Sequence, residues 1–270
     1  MRVLIVTAVP AERDAVVRGI AATAPEVAEL PVPGGVIHRL SPVPPTGRPL
    51  TVDVLAAGVG PAAAAAGTAA ALTAAAVART PYDLAVSAGI GGGFTAMPPA
   101  TTPPTTAAPT SPAPTTPRLG SVVVADAIVA ADLGAETPDG FAAVTDLGFG
   151  TVEHLPPAPL VAAVAEATDA VRGTVLTVST VTGSAERAAE LLRRHPHAVA
   201  EAMEGFGVAE AAAAQAVPAL EVRTVSNAVG PRDRAAWRIG EAMEALTSAF
   251  ATIAPSSAPG PLTRKEPGSD

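Results

Sequence analysis

The sequence predicts an α/β fold: a single domain whose central sheet is mixed, largely parallel and flanked by helices. Short apolar runs typical of strands alternate along the chain with segments typical of helices, which is the pattern of this class. The first runs are apolar without alternation, which indicates strands covered on both faces. Apolar residues make up 49% of the 270 residues. That fraction is enough for a sizeable core.

The first third of the chain predicts three strands and two helices. Val3 to Ala8 is a continuous apolar run, and a helical segment follows from Ala11 to Ile20. Beyond a stretch rich in Pro and Gly, Val36 to Leu40 could form an edge strand, and Thr51 to Ala57 predicts another inner strand. Pro61 stands where the first turn of a helix tolerates proline, so we expect a helix from there to about Ala78.

The middle of the chain predicts a strand followed by glycines and an unusual insertion. Asp83 to Ala88 predicts a strand that runs into a glycine turn, Gly89 to Gly93. Thr95 to Pro117 holds 8 Thr and 8 Pro among 23 residues and has no charge. Such a tract favours neither a helix nor an inner strand, so we expect a disordered surface loop there.

The rest of the chain continues the alternation. Ser184 is placed to cap the helix that ends at His195. We expect one domain over residues 1–254, interrupted by the 95–117 insertion, and a flexible tail at 255–270. The predicted strands are 121–131, 174–181, 198–202 and 220–226, and the predicted helices are 156–171, 184–195, 204–216 and 233–253.

Composition excludes several functions. The chain has no Cys, so it has no disulfide and no thiolate chemistry. A net charge of -8 argues against nucleic acid, whose phosphates require a basic face. Met1 to Pro10 superficially resembles a signal peptide, but a buried first strand explains the same run better because charged residues follow at once. We therefore expect a cytoplasmic protein that binds neither nucleic acid nor membrane.

Generic catalytic motifs fail. The glycine run does not match G-x-G-x-x-G, because Phe94 stands at the third position and no helix start follows. Ser87 lies in a loose relative of the nucleophile elbow, but that elbow requires a helix directly after the Ser. The four His show no metal-binding spacing, so we expect no metal and no cofactor.

Polar residues at the ends of predicted strands are the remaining candidates, because open α/β sheets bind ligands there. Each also has an ordinary structural explanation: Glu12 and Glu204 could be helix first-turn carboxylates, and Asn227 a turn residue. Two carboxylates, an Arg and an Asn at successive strand ends are harder to explain in that way. The candidates of this kind are Glu12, Ser87, Met203, Glu204, Arg223, Ser226 and Asn227.

Six short motifs, in order, carry a resemblance to a known family. They are the first strand with Glu12, Ala57-Gly-Val-Gly60, Ser87-Ala-Gly-Ile-Gly-Gly-Gly93, Gly120-Ser-Val-Val-Val-Ala-Asp126, Ala202-Met-Glu204 and Arg223-Thr-Val-Ser-Asn227. Each is weak alone, but the set resembles the nucleoside phosphorylase and nucleosidase superfamily, in particular the branch with 5′-methylthioadenosine/S-adenosylhomocysteine nucleosidase. The resemblance covers residues 1 to about 252 apart from the insertion. Within the branch, the stretches 131–138 and 226–238 are most similar to the futalosine hydrolases of menaquinone biosynthesis.

The resemblance implies cleavage of a purine N-ribosyl bond and assigns roles to residues. Glu12 would activate the attacking water, Glu204 would bind the ribose hydroxyls with Met203 packed on the sugar, and Arg223 would hold Glu204 or the ribose. Backbone groups of the glycine turn and of residues 180–182 would line the base pocket. The substrate-binding set it implies is Ser87, Gly89, Ile90, Gly91, Thr180, Val181, Thr182, Met203, Glu204, Phe206, Ser226 and Trp237, and the catalytic set is Glu12, Arg223 and Asn227.

Two departures from the superfamily pattern bear on substrate and nucleophile. Asn227 stands where the adenosine-cleaving nucleosidases carry an Asp that protonates the base at N7. An amide can instead donate to a 6-oxo group, which suits hypoxanthine better than adenine, although an amide can also flip. The phosphate-binding motifs of the phosphorylases are replaced by Thr7-Ala-Val-Pro-Ala-Glu12 and Ser87-Ala-Gly-Ile90, so the resemblance implies water as the nucleophile.

Futalosine carries a carboxyphenyl group beyond C5′, so its pocket needs an apolar wall and a cation. Phe206 and Trp237 are candidates for the wall, and Arg232, Arg234 or Arg238 for the cation. Three hypotheses stay open: futalosine hydrolysis, hydrolysis of methylthioadenosine or S-adenosylhomocysteine, and non-catalytic nucleoside binding. The resemblance also implies a homodimer or a higher homo-oligomer.

Overall fold

The structure is a computed structural model that describes residues 1–24, 26–42, 49–95 and 116–253. Most of the predicted insertion and all of the predicted tail lie outside these ranges. The strands are β1 (Arg2–Thr7), β2 (Val27–Val32), β3 (Gly35–Leu40), β4 (Thr51–Ala56), β5 (Leu84–Gly93), β6 (Val122–Ala130), β7 (Gly134–Thr137), β8 (Gly140–Ala143), β9 (Glu153–His154), β10 (Val171–Thr177), β11 (Ala198–Ala202) and β12 (Ala219–Ala228). The helices are α1 (Pro10–Ala21), α2 (Pro61–Val77), α3 (Ala158–Thr168), α4 (Ala185–Arg194), α5 (Gly205–Ala213) and α6 (Ile239–Ile253), with a short 3₁₀ turn at Arg234–Ala236.

One mixed sheet organises the chain, and this confirms the predicted class. Its strand order is β11-β10-β6-β12-β5-β1-β4-β3-β2, with β9 beside β6. Strand β5 lies between β1 and β12, and both of these neighbours run parallel to it. The end of β5 also pairs with β11 in the antiparallel sense, which closes β11, β10, β6, β12 and β5 into a small ring.

Helices cover both faces of the sheet, and β1 shows why its sequence is continuously apolar. Val3 and Ile5 pack on one face in a cluster with residues of α1, α3 and α6. Leu4 and Val6 pack on the other face with residues of α2 and α5. A strand buried on both faces has no polar position to alternate with. No helix in the described ranges is long and apolar enough to cross a membrane.

The structure differs from the sequence predictions in several elements. Gly89 to Gly93 is not a turn but the second half of β5, which pairs with β12 to its last residue despite one shift in register. Two hairpin elements were not predicted. One is β2, the mostly exposed hairpin partner of the predicted edge strand, and the other is the short β7–β8 hairpin, in which no residue is fully buried. The last helix begins at Ile239 rather than Asp233, because Asp233 caps the separate 3₁₀ turn.

Candidate active site

A cavity of about 200 Å³ lies at the carboxyl ends of β1, β5, β11 and β12. This is the edge of the sheet where α/β folds bind ligands. Many of the residues singled out in the sequence meet there. Its wall includes Glu12, Ile90, Gly91, Val181, Thr182, Met203, Glu204, Ser226, Asn227 and Trp237, together with Ala8, Gly92, Glu201, Ala202, Ala228, Gly230, Pro231, Arg232 and Ile239.

Glu12 is a buried carboxylate in the first turn of α1. Its Oε2 accepts hydrogen bonds from the backbone N–H groups of Ala8 (3.0 Å) and Val9 (3.3 Å), and its Oε1 accepts from the N–H of Ile90 (2.9 Å). Burial raises the pKa of the Glu12 carboxyl above its usual range, while the charge of Arg223 opposes that rise. Glu12 therefore caps the start of α1 and at the same time presents a carboxyl group to the cavity.

Glu204 also contacts Arg223 and lies two residues after the end of β11. Its Oε1 accepts a hydrogen bond from the N–H of Gly60 at 3.1 Å, and its Oε2 lies 3.2 Å from Nη1 of Arg223. The side chain is 6% exposed and lines the cavity. Glu204 is the N-cap residue of α5, so its backbone position is set by the point at which that helix begins.

Arg223 is almost fully buried and is surrounded by carboxylates. Its Nε donates to Glu221 Oε1 at 2.9 Å, and its Nη2 donates to the hydroxyl of Ser87 at 2.7 Å. Although burial disfavours its charge, the nearby carboxylates of Glu221, Glu204 and Glu12 raise the pKa of Arg223. Three carboxyl groups face this one guanidinium, and their ionised forms suit a cationic transition state and disfavour an anionic nucleophile.

Gly89 allows this close arrangement. A Cβ at that position would lie 2.5 Å from Oε1 of Glu12 and 2.8 Å from Nη1 of Arg223. Any side chain on Gly89 would displace one of them. The glycine is therefore needed for space next to the two charged groups.

Two buried carboxylates in this region were missed by the sequence analysis. Glu221 is fully buried, and burial raises the pKa of its carboxyl. It precedes Arg223 by two residues in β12, so the period of a strand places both on one face, and that spacing could have revealed it. Glu201 was the one charged residue in an otherwise apolar predicted strand. It is 3% exposed and lines the cavity.

Asn227 follows an irregularity in β12. The register shifts between Val225 and Asn227, and such a bulge re-aims the following side chain. The hydroxyl of Ser226 donates to Asn227 Oδ1 at 2.8 Å, and Asn227 Nδ2 donates to the carbonyl of Ala228 at 2.9 Å. These bonds orient the amide so that its nitrogen lies towards Gly92, where a Cβ would be 3.3 Å from Nδ2.

Several predicted binding residues do not lie on the cavity wall. Ser87 and Gly89 lie behind it, where they hold or accommodate Arg223 and Glu12. Thr180 is exposed to solvent beside the wall. Phe206 packs in the core of α5, with its ring 5.2 Å from that of His154. These four residues thus hold supporting or peripheral positions around the cavity, and their predicted contacts with substrate stay predictions.

The far end of the cavity opens towards Trp237. A wider depression of about 620 Å³ adjoins it and shares Asn227, Ala228, Pro231 and Trp237 with it. Of the three candidate arginines, only Arg232 lines the inner cavity. The guanidinium of Arg232 lies 5.4 Å from the centre of the Trp237 ring, and the guanidinium of Arg234 lies 5.7 Å from the centre of the same ring.

Comparison with known proteins gives relatives along nearly the whole chain. The chain matches no family model. It is 64% identical over 255 residues to a futalosine hydrolase of Streptomyces coelicolor, covering 94% of this chain and 96% of the relative. The chain belongs to the futalosine hydrolase family. A second futalosine hydrolase, of Acidothermus cellulolyticus, is 42% identical over 258 residues, covering 93% of this chain and 89% of the relative.

Solved structures agree with a futalosine hydrolase family fold. A futalosine hydrolase mutant of Helicobacter pylori superposes with a TM-score of 0.69 at 16% identity, covering 93% of this chain and 97% of that one. A 5′-methylthioadenosine/S-adenosylhomocysteine nucleosidase of Colwellia psychrerythraea, solved with adenine, superposes with a TM-score of 0.67 at 19% identity, covering 93% and 95%. At these identities the likeness shows the fold, which is the one that the sequence motifs implied.

Proposed function

We propose that the protein hydrolyses the N-glycosidic bond of futalosine and releases hypoxanthine and dehypoxanthine futalosine. The observation that supports this most directly is the pair of buried carboxylates, Glu12 and Glu204, held next to Arg223 at one cavity. Membership of the futalosine hydrolase family supports the choice of substrate.

Glu204 and Met203 bind the ribose in this proposal. Cleavage of the bond passes through a state in which positive charge grows on the sugar ring. A carboxylate held in a dry site interacts more strongly with that state than with the neutral sugar, which is the condition for catalysis. Glu204 is fixed from behind by Gly60 and Arg223, so it needs little rearrangement to act.

Glu12 activates the water. Its carboxylate removes a proton as the water oxygen bonds to C1′ and the bond from C1′ to N9 breaks. A general base works best when its pKa lies near the working pH, and burial raises the pKa of Glu12 in that direction. The departing base takes its proton from solvent, because Asn227 has no acidic proton to give.

The nucleophile is water rather than phosphate. In the described part of the cavity wall, Arg232 is the one cationic side chain, and it lies near Trp237 at the other end from Glu12. Phosphate at the Glu12 corner would meet two carboxylates. Arg223 cannot serve it, since its guanidinium is 1% exposed and already faces Glu221 and Glu204.

The carboxyphenyl arm is assigned to the Trp237 end of the cavity. Trp237 offers an aromatic surface, and Arg232 offers the cation that a carboxylate needs. A homo-oligomeric assembly and a cytoplasmic location stay predictions. Light scattering on the purified chain tests the assembly.

The test is a chromatographic assay of base release. The purified protein is incubated with futalosine and, in parallel, with methylthioadenosine, each with and without phosphate. Hypoxanthine released from futalosine at a rate indifferent to phosphate is the expected result. Glu12→Gln, which preserves shape and removes the base, serves as the matched inactive control.

Other outcomes would replace the proposal by a specific alternative. Release of adenine from methylthioadenosine, with no hypoxanthine from futalosine, would show that this protein acts on the substrate of the related nucleosidases. Release that requires phosphate would make the protein a phosphorylase. Binding of nucleoside without release, equal in wild type and Glu12→Gln, would make it a binding protein.

A further inference from the structure

Glu201 and Asn227 lie on opposite sides of one glycine in the floor of the cavity. Gly92 of β5 pairs with Glu201 of β11 on one side and with Asn227 of β12 on the other. Residues paired in this way direct their side chains to the same face of a sheet, and each strand spacing is about 4.8 Å. The carboxylate and the amide therefore flank a gap roughly 10 Å wide between their backbones. Gly92 contributes no side chain to this gap, and Val229 borders it, since a Cβ on Gly92 would lie 2.9 Å from Cγ2 of Val229.

Glu201 is held as a hydrogen-bond acceptor. Its Oε1 accepts from the backbone N–H of Thr182 at 2.8 Å, and its Oε2 accepts from the hydroxyl of the same residue. Burial raises the pKa of the Glu201 carboxyl, and the two donors of Thr182 oppose that rise by favouring the ionised form. An ionised carboxylate has about four acceptor sites and no donor, so sites remain for a ligand in the cavity that Glu201 lines.

Asn227 presents the opposite polarity to the same gap. Its oxygen is occupied by the hydroxyl of Ser226, and its nitrogen lies towards Gly92. That nitrogen uses one hydrogen on the carbonyl of Ala228, which leaves the second one free to donate. The gap over Gly92 thus offers an acceptor at one end and a donor at the other.

We infer that Glu201 is a specificity-determining residue which accepts a hydrogen bond from N1–H of a 6-oxopurine while Asn227 donates to its 6-oxo group. A 6-aminopurine has the reverse polarity at both atoms: its N1 is an acceptor facing a carboxylate, and its 6-amino group is a donor. Asn227 alone could adapt by turning its amide, but Glu201 cannot become a donor without taking up a proton. Glu201 therefore fixes the preference that Asn227 leaves open.

This inference rests on the proposed function, since it names the residue that selects the base. The experiment compares kcat/KM for futalosine and for its 6-amino analogue in wild type, Glu201→Gln and Thr182→Val. Gln can donate to N1 of the amino analogue, so we expect the oxo-to-amino ratio to fall roughly 10- to 100-fold in Glu201→Gln. Thr182→Val removes the hydroxyl that supports Glu201 but presents no new group to the base, so both substrates should slow in similar proportion.

A purely structural Glu201 gives a different result. If it only anchors the segment that contains Thr182, Glu201→Gln will slow both substrates equally and leave the ratio unchanged, which overturns the inference. A wild type that releases adenine but no hypoxanthine overturns the proposed function as well, so the two failures are distinguishable by the wild-type rates alone.

A measurement on the wild type covers the case in which Glu201→Gln does not fold. Inhibition by hypoxanthine is compared with inhibition by 1-methylhypoxanthine, which lacks N1–H. We expect the methylated base to bind at least about 10-fold more weakly. Equal inhibition by the two bases would rule out the hydrogen bond from N1.

Discussion

Glu12 accepts a hydrogen bond from the backbone of Ile90, 78 residues further along the chain, at 2.9 Å. This bond joins the first helix to the central strand at the point where the reaction is proposed to occur. It exists only because Gly89 leaves room for the carboxylate. The position of the general base therefore depends on the absence of one side chain.

Gly89→Ala tests this dependence directly. The added methyl group would lie 2.5 Å from Glu12 Oε1, so we expect the carboxylate to shift and kcat to fall by roughly 100-fold, as for other small displacements of catalytic groups. Gly240→Ala is the matched control, because a Cβ there meets no atom within 4 Å and the residue is helical. The control should keep full activity and gain up to about 1 kcal/mol of stability. Steady-state rates and thermal unfolding measure both, and an active Gly89→Ala variant would contradict the assignment of Glu12.

The acid limb of the pH profile should report Glu12. Burial raises the pKa of this carboxyl above its usual value of 4.5, and the active form of a base is the ionised one. The value of kcat/KM should therefore fall as the pH drops through a midpoint above 4.5. Glu12→Gln should lose about 10²- to 10⁴-fold in kcat and lose the limb. Glu136→Gln, at an exposed position in β7, should keep the wild-type profile.

Much of this site could be predicted from the sequence because its residues lie at or just beyond strand ends. Glu12 and Glu204 follow β1 and β11, Asn227 is the last residue but one of β12, and the sheet brings those ends together. Glu201 and Glu221 were not predicted, since they stand inside strands, where the apolar pattern assigned them to the core. The role of Glu201 depends on pairing between β11, β5 and β12, and a sequence does not reveal which strands are neighbours. Glu221 could have been found from its two-residue spacing to Arg223.

Asn227→Asp should move the base preference towards adenine nucleosides. A carboxylic acid can protonate N7 and accept from a 6-amino group, which an amide in its present orientation does not do. We expect the ratio of kcat/KM for futalosine over its 6-amino analogue to fall by roughly 10-fold or more. Measurement of both substrates in the variant checks this, and an unchanged ratio would remove Asn227 from base recognition.

Two substitutions at Glu221 should separate charge from hydrogen bonding in the support of Arg223. Glu221→Leu leaves Nε of Arg223 without its 2.9 Å acceptor, and breaking a buried pair in this way costs about 3 to 5 kcal/mol. Glu221→Gln keeps an acceptor oxygen and should cost less than half of that. Urea unfolding of both variants provides the comparison. A leucine variant as stable as the glutamine variant would mean that Glu204 and Ser87 hold Arg223 by themselves.

Asp53 offers a stability test that leaves the cavity untouched. It is fully buried in β4, where it accepts two hydrogen bonds of 2.7 Å from Arg39 and one of 2.5 Å from the hydroxyl of Tyr82. Asp53→Asn leaves these groups with a neutral partner and should lower the free energy of unfolding by about 3 kcal/mol. Because Asp53 does not line the cavity, kcat at 25 °C should stay within about 2-fold of wild type. A large loss of kcat in a folded variant would connect the two regions.

β5 bonds to β1, β12 and β11 and also forms the floor of the cavity. Backbone amides at the centre of a sheet exchange with solvent only when large parts of a protein open, so we expect this floor to stay in place during a turnover. Entry of the nucleoside and exit of the base must then depend on the irregular segments 178–183 and 229–238, which contribute the remaining wall. Substitutions in those segments can change the rate of product release without changing the melting temperature. The turnover rate and the thermal stability of this enzyme can thus be altered separately.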